Sequence, residues 1–78
     1  MARRVFVKVV VEHDTLGRTR PLSIEWENGR VFTIDRVLDS RPAAATKAGG
    51  QGMRYTLRIN GHETYLFEDE GLWFVEAK

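Results

Sequence analysis

A chain of 78 residues is enough for one small domain that buries about 60–65% of its unfolded surface, which excludes a second core. Cysteine is absent, and this excludes disulfides, thiolate metal ligands and cysteine nucleophiles. The formal charge of +1 leaves the molecule as a whole without a strong electrostatic identity.

The first predicted element runs from Arg4 to His13. Val5, Val7, Val9 and Val11 fall on one face, and Phe6, Lys8, Val10 and Glu12 on the other. Period-two alternation of β-branched residues is the pattern of a strand. A polar turn centred on Gly17 follows. Pro21 suits the start of a strand or an edge, and does not suit the middle of a central ladder. Leu22, Ile24 and Trp26 then alternate with Ser23, Glu25 and Glu27, a second strand with one buried face.

Asn28-Gly29 signals a hairpin. A two-residue loop would pair Trp26 with Val31 and turn Phe32 and Ile34 toward solvent. A three-residue loop, Glu27-Asn28-Gly29, pairs Ile24 with Phe32 and Leu22 with Ile34, with Gly29 in the left-handed position of a G1 bulge. A one-residue slip reverses every side chain, so the apolar pattern selects the three-residue loop. The third strand, Arg30 to about Leu38, then buries Phe32, Ile34 and Leu38.

Residues 40–52 form the long connection. Ser40 as a cap, Pro42, an alanine run and Gly49 as a stop allow one short helical turn. An irregular, partly mobile loop is the alternative. Met53, Tyr55, Leu57 and Ile59 then share one face of a fourth strand, opposite Arg54, Thr56 and Arg58. A two-residue Asn60-Gly61 loop sets Arg58 against Glu63, Leu57 against Thr64 and Tyr55 against Leu66. The strand His62–Glu68 is apolar on both faces, so its orientation stays open. Glu70-Gly71 makes a further turn, and Leu72 to Glu76 closes the chain.

These elements read as an all-β fold: about six short antiparallel strands in a meander, curled into a small barrel or half-open roll. Its core would hold the valine face, Leu22, Ile24, Trp26, Phe32, Ile34, Tyr55, Leu57, Ile59 and Phe74.

Charge is uneven along the chain. Residues 1–60 carry 11 Lys/Arg against 6 Asp/Glu, and residues 61–78 carry 1 against 5. Pairing between neighbouring strands accounts for this most simply. The apolar start MARRVFVKVVVEH is broken by Lys8 and lacks a small-residue cleavage site, so it does not read as a targeting signal. With no cysteine and no membrane-length apolar run, the expected compartment is the cytoplasm.

Catalytic patterns are not found. His13 and His62 lack metal-ligand spacing, and Ser23 and Ser40 lack a nucleophile motif. Glu25 and Glu27 share a solvated face, and Glu68-Asp69-Glu70 is a turn. Gly49-Gly50-Gln51-Gly52 offers backbone N–H groups, but a strand follows it where phosphate loops require a helix. The expectation is therefore a non-catalytic binding module without metal or cofactor. Arg36, Arg41, Lys47, Arg54 and Arg58 cluster around the long connection as candidate contacts to nucleic acid. A protein-interaction or homo-oligomeric role through exposed Phe6, Val10, Tyr65 and Phe67 is the alternative.

The Pro21-x-x-Ile24-x-Trp26 strand, Ile34-Asp35-Arg36-Val37, Gly49-Gly50-x-Gly52-x-Arg54-Tyr55 and Trp73-Phe74-Val75-Glu76 together resemble a group of small, uncharacterised bacterial proteins. The resemblance runs from about Val5 to Glu76. It implies a compact β fold in a bacterium and brings no functional residues with it.

Overall fold

The computed structural model describes residues 3–42 and 52–77. Their regular structure is all strand: β1 (Arg3–Phe6), β2 (Lys8–His13), β3 (Thr19–Glu25), β4 (Val31–Thr33), β5 (Arg36–Pro42), β6 (Met53–Ile59), β7 (His62–Asp69) and β8 (Leu72–Ala77). Five strands form one antiparallel sheet in the order β1-β8-β7-β6-β5, and three form a second, β2-β3-β4. The all-β class stands. Six expected strands become eight because two long runs bend.

The run from Arg3 to His13 breaks at Val7. Its first half pairs with β8 and its second with β3. The run from Val31 to Pro42 breaks at Ile34-Asp35, with β4 on β3 and β5 on β6. Backbone groups at the breaks stay satisfied, as an extended chain entering a core requires. Val7 N–H donates to the Trp73 carbonyl at 3.0 Å, Ile34 N–H to Leu22 at 2.9 Å and Asp35 N–H to Arg58 at 2.8 Å. The sheets remain two separate ladders joined at these corners.

Turn chemistry sets the register. Trp26 N–H donates to the Arg30 carbonyl at 2.7 Å and Gly29 N–H to the Trp26 carbonyl at 2.9 Å. Gly29 has φ +85°, and Ile24 faces Phe32. This is the three-residue loop that the apolar pattern selects. The same hydrogen bonds recur between Asp14, Gly17 and Arg18. Asn60 (φ 51°) and Gly61 (φ 80°) form the two-residue loop, with Arg58 opposite Glu63 and Tyr55 opposite Leu66. Pro21 lies inside β3, at a register shift opposite Val11, where its missing N–H breaks no regular rung.

Asp14 ties its own loop. Its carboxylate accepts from the amides of Leu16 and Arg18, both at 2.9 Å, and from Arg18 Nε at 2.7 Å. The Arg18 amide leads the causes holding this carboxyl below the usual range, with the Arg18 side chain and the Leu16 amide adding to it. A depressed folded pKa means the tie is present at neutral pH and is lost as pH falls through that lowered value. Amide-exchange protection at Leu16 and Arg18, taken relative to the intrinsic rate at each pH, should fall there, and Asp14→Asn should remove that loss of protection. Protection that persists once the carboxyl is protonated would contradict the account.

The core between the sheets centres on Ile24, Tyr55, Leu57 and Leu66, with Val7, Val9, Ile34, Val37, Ile59 and Val75 packed around it. Burying each large apolar side chain stabilises by about 1.5–3 kcal/mol. Two core assignments need correction. Leu38 is exposed and Val37 points inward, because the β5–β6 register shifts between Val37 and Asp39 and leaves Leu38 as the extra residue. Phe74 belongs to a second cluster with Phe67, on the outer face of the five-stranded sheet. At Leu66-Phe67 strand β7 is thus buried on both faces, with Leu66 inward and Phe67 outward, and Phe67 is not part of an exposed patch.

Ser40, Arg41 and Pro42, expected to begin a helical turn, instead extend β5 to pair with Tyr55, Arg54 and Met53. Proline is tolerated there because β5 is a sheet edge. The rest of the expected turn lies outside the described residues. No helix among the described residues is long and apolar enough to cross a membrane.

Candidate nucleic-acid interface

The outer face of the five-stranded sheet is built by alternation. Once Tyr55 and Leu57 point into the core, Arg54, Thr56 and Arg58 must point out. Pairing then aligns neighbours in rows across the sheet. Arg36 stands opposite Arg58, which stands opposite Glu63. Asp39 stands opposite Thr56, which stands opposite Tyr65. Arg41 stands opposite Arg54, and this row continues through Phe67 and Phe74 to Phe6.

Four of the candidate residues, Arg36, Arg41, Arg54 and Arg58, therefore meet on two adjacent strands. The fifth, Lys47, lies outside the described residues. They form two like-charge pairs directly across the ladder, an arrangement that costs stability in the absence of counter-charge. Arg41 is partly neutralised by Asp39, with Nε 2.8 Å from its carboxylate. Both side chains are substantially exposed, so the pair is screened and contributes little.

Aromatic rings complete the face. Tyr65 is 51% exposed and lies between the two arginine pairs along β6 and β7. The Arg54 guanidinium sits 4.7 Å from its ring centre. Arg4 sits 4.6 Å from the centre of Phe74. Phe74 stacks on Phe67 at 5.3 Å and meets Phe6 edge-on at 5.8 Å. Phe6 is 53% exposed. The Nε atoms of Arg4 and Arg54 are buried without a hydrogen-bond partner, and each guanidinium lies against an aromatic ring.

Sequence alternation placed the arginines on this face but missed the aromatic row joined to them. The signal was present in Tyr65 and Phe67, which alternate with Leu66, but both faces of β7 are apolar. Pairing between strands distant in sequence was needed to show that Phe6 and Phe74 continue the row.

His13 Nδ1 lies 3.0 Å from Thr19 Oγ1 at an exposed strand end. Glu25 and Glu27 are exposed, and Glu27 is 4.0 Å from Arg3. Burial pushes the Tyr55 phenol above its ordinary range and Glu68 adds to this, so Tyr55 stays protonated against Trp73 in the core. No group of three or more His, Cys, Asp or Glu that could hold a metal ion occurs among the described residues. No family model, curated protein or solved structure matches the chain.

Proposed function

We propose that the protein is a non-catalytic binding module that takes single-stranded nucleic acid on the outer face of its five-stranded sheet. The observation that carries this is the pair of cross-strand arginine couples, Arg36/Arg58 and Arg41/Arg54, bracketing the exposed ring of Tyr65. Stacked bases need an accessible aromatic face, and the phosphates between them need cations at the spacing of strands. A bound backbone would also relieve the like-charge pairs. The two bent runs support a finer reading of the fold as a half-open roll with this face outermost. The protein would work in the bacterial cytoplasm, needing neither metal nor cofactor.

Short single-stranded RNA and DNA oligomers, followed by amide and arginine side-chain NMR shifts, test the proposal. Shifts are expected at Arg36, Arg41, Arg54, Arg58 and Tyr65. Affinity should fall with added salt, by a log–log slope of about −0.7 for each phosphate contacted. Arg58→Ala should reduce that slope by about 0.7. Salt-independent shifts, or none on this face, would remove the reading.

The second reading is a protein-interaction or homo-oligomeric module. It rests on Phe6 and Tyr65 on the same outer face, and on Val10, exposed on the three-stranded sheet. Light scattering across a concentration series separates the two, since self-association predicts a mass that rises with concentration.

A further inference from the structure

At one end of the molecule the inward side chains of the two sheets do not close on each other, and a cleft of about 390 Å³ opens between them. The backbone explains the opening. Strand β7 pairs with β8 only over Phe67–Asp69, while β8 continues along β1 from Phe74 to Ala77. The strands diverge beyond that point. His62 and Thr64, on the same face of β7 as Leu66, then border a gap. Buried Ile24 forms the floor, Trp26 and Phe32 one wall, and Ile59 and Val75 the other. A second depression of about 310 Å³ adjoins the cleft, sharing Trp26 and Phe32 with it and adding Asn28 and Arg30. The Arg30 guanidinium is 5.5 Å from the centre of the Phe32 ring.

We propose that this cleft binds one nucleotide, with its base against Trp26 and Phe32 and its phosphate toward Arg30. The site is separate from the outer sheet face and does not depend on that face binding anything. Flat aromatic walls opposed by branched aliphatic side chains form a slot for a flat ring. The polar groups of the lining are the Asn60 amide, the His62 imidazole, the Thr64 hydroxyl and, beside Val75 and away from the Arg30 end, the Glu76 carboxylate. They supply the donors and acceptors that the edge of a heteroaromatic base requires. An acyl chain would instead desolvate them without return. The volume lies near the lower end of the ~300–1,000 Å³ typical of ligand sites, which suits one nucleotide rather than a dinucleotide cofactor. The hairpin fixes the phosphate end, because Trp26 and Arg30 are the residues bonded across its base.

Fluorescence of Trp26 reports the site directly. Trp73→Phe leaves it as the single tryptophan of the chain. AMP and UMP should quench it saturably, adenosine should bind about tenfold more weakly for want of the charged contact, and inorganic phosphate alone should have no effect. Arg30→Ala should bring AMP down to the adenosine level, and Arg30→Gln should do the same while keeping a side chain of similar length. His62→Ala and Thr64→Val, both at exposed positions, should change the AMP/UMP preference. The 5′-phosphorylated dinucleotide pUpU separates the two sources of such a ligand: tighter binding than UMP assigns the end of a strand, and equal binding assigns the free nucleotide. Amide spectra of each variant verify folding. Arg54→Ala and Arg58→Ala should leave the AMP response unchanged, so failure of the cleft and failure of the outer face are read separately. Absence of saturable quenching, an equal response to phosphate alone, or AMP binding indifferent to both Arg30 variants would overturn the proposal.

Discussion

Gly52→Ala is expected to destabilise the protein by about 3 kcal/mol or more, a large part of the total stability of so small a domain. A β-carbon at this position would lie 2.1 Å from the Glu68 carbonyl oxygen and 3.1 Å from the Asp69 Cα. Both are backbone atoms of β7, so no side-chain rotation relieves the clash. Gly52 also has φ +145°, a conformation that residues with a β-carbon rarely adopt. The substitution must push the start of β6 away from β7, beginning at the Met53–Glu68 rung. Gly61→Ala is the control. Gly61 also has positive φ, but nothing lies within 4 Å of its would-be β-carbon. It should lose only the conformational cost, about 1–2 kcal/mol. Urea denaturation of both variants measures the difference, and equal losses would refute the role of close approach to β7.

Phe74→Ala should cost about 3–5 kcal/mol, the range for removing a buried aromatic ring. Phe74 is 2% exposed although it lies on the outer face of a sheet. It holds three partners at once: Phe67 stacked, Phe6 at its edge and the Arg4 guanidinium over its face. Truncation leaves Phe67 and Arg4 without their shared surface. Arg4 then keeps a buried, unpartnered Nε and loses the ring against which it lies. Phe6→Ala, at a half-exposed position of the same cluster, should cost about 1 kcal/mol. Thermal and urea unfolding decide the matter. A Phe74→Ala variant within about 1 kcal/mol of the parent would show that the outer cluster contributes little to stability.

The readable parts of this chain were those governed by local chemistry. Asn28-Gly29 and Asn60-Gly61 fixed two registers, because a left-handed turn residue and an alternating apolar face leave only one pairing that keeps both satisfied. The valine face of the first run followed for the same reason. What was not readable depended on events between distant segments. Nothing near Val37-Leu38 announces an extra residue in β5, so alternation from Phe32 and Ile34 put Leu38 in the core and turned Val37 out. Phe67 and Phe74 could be placed only after β8 was known to lie between β1 and β7. For the candidate interface, alternation along β6 was enough to turn Arg54 and Arg58 outward. The opposition of Arg36 to Arg58 and Arg41 to Arg54 required the shifted β5 register.

The pairing of β1 with β8 places Arg3 opposite Ala77. Four hairpins of the molecule close over two or three residues and the β5–β6 pair over ten, but this contact joins segments 68 to 74 positions apart. Loop closure on that scale is the entropically expensive event in assembly. During translation β1 emerges first and its partner last, so the order of synthesis opposes the order of pairing. Until β8 arrives, the chain can form the three-stranded sheet and the β6–β7 hairpin, while Val5 and Phe6 wait with an open strand edge. In the cell, the vulnerable species is therefore this incomplete chain, which carries an apolar edge strand before the segment that covers it exists.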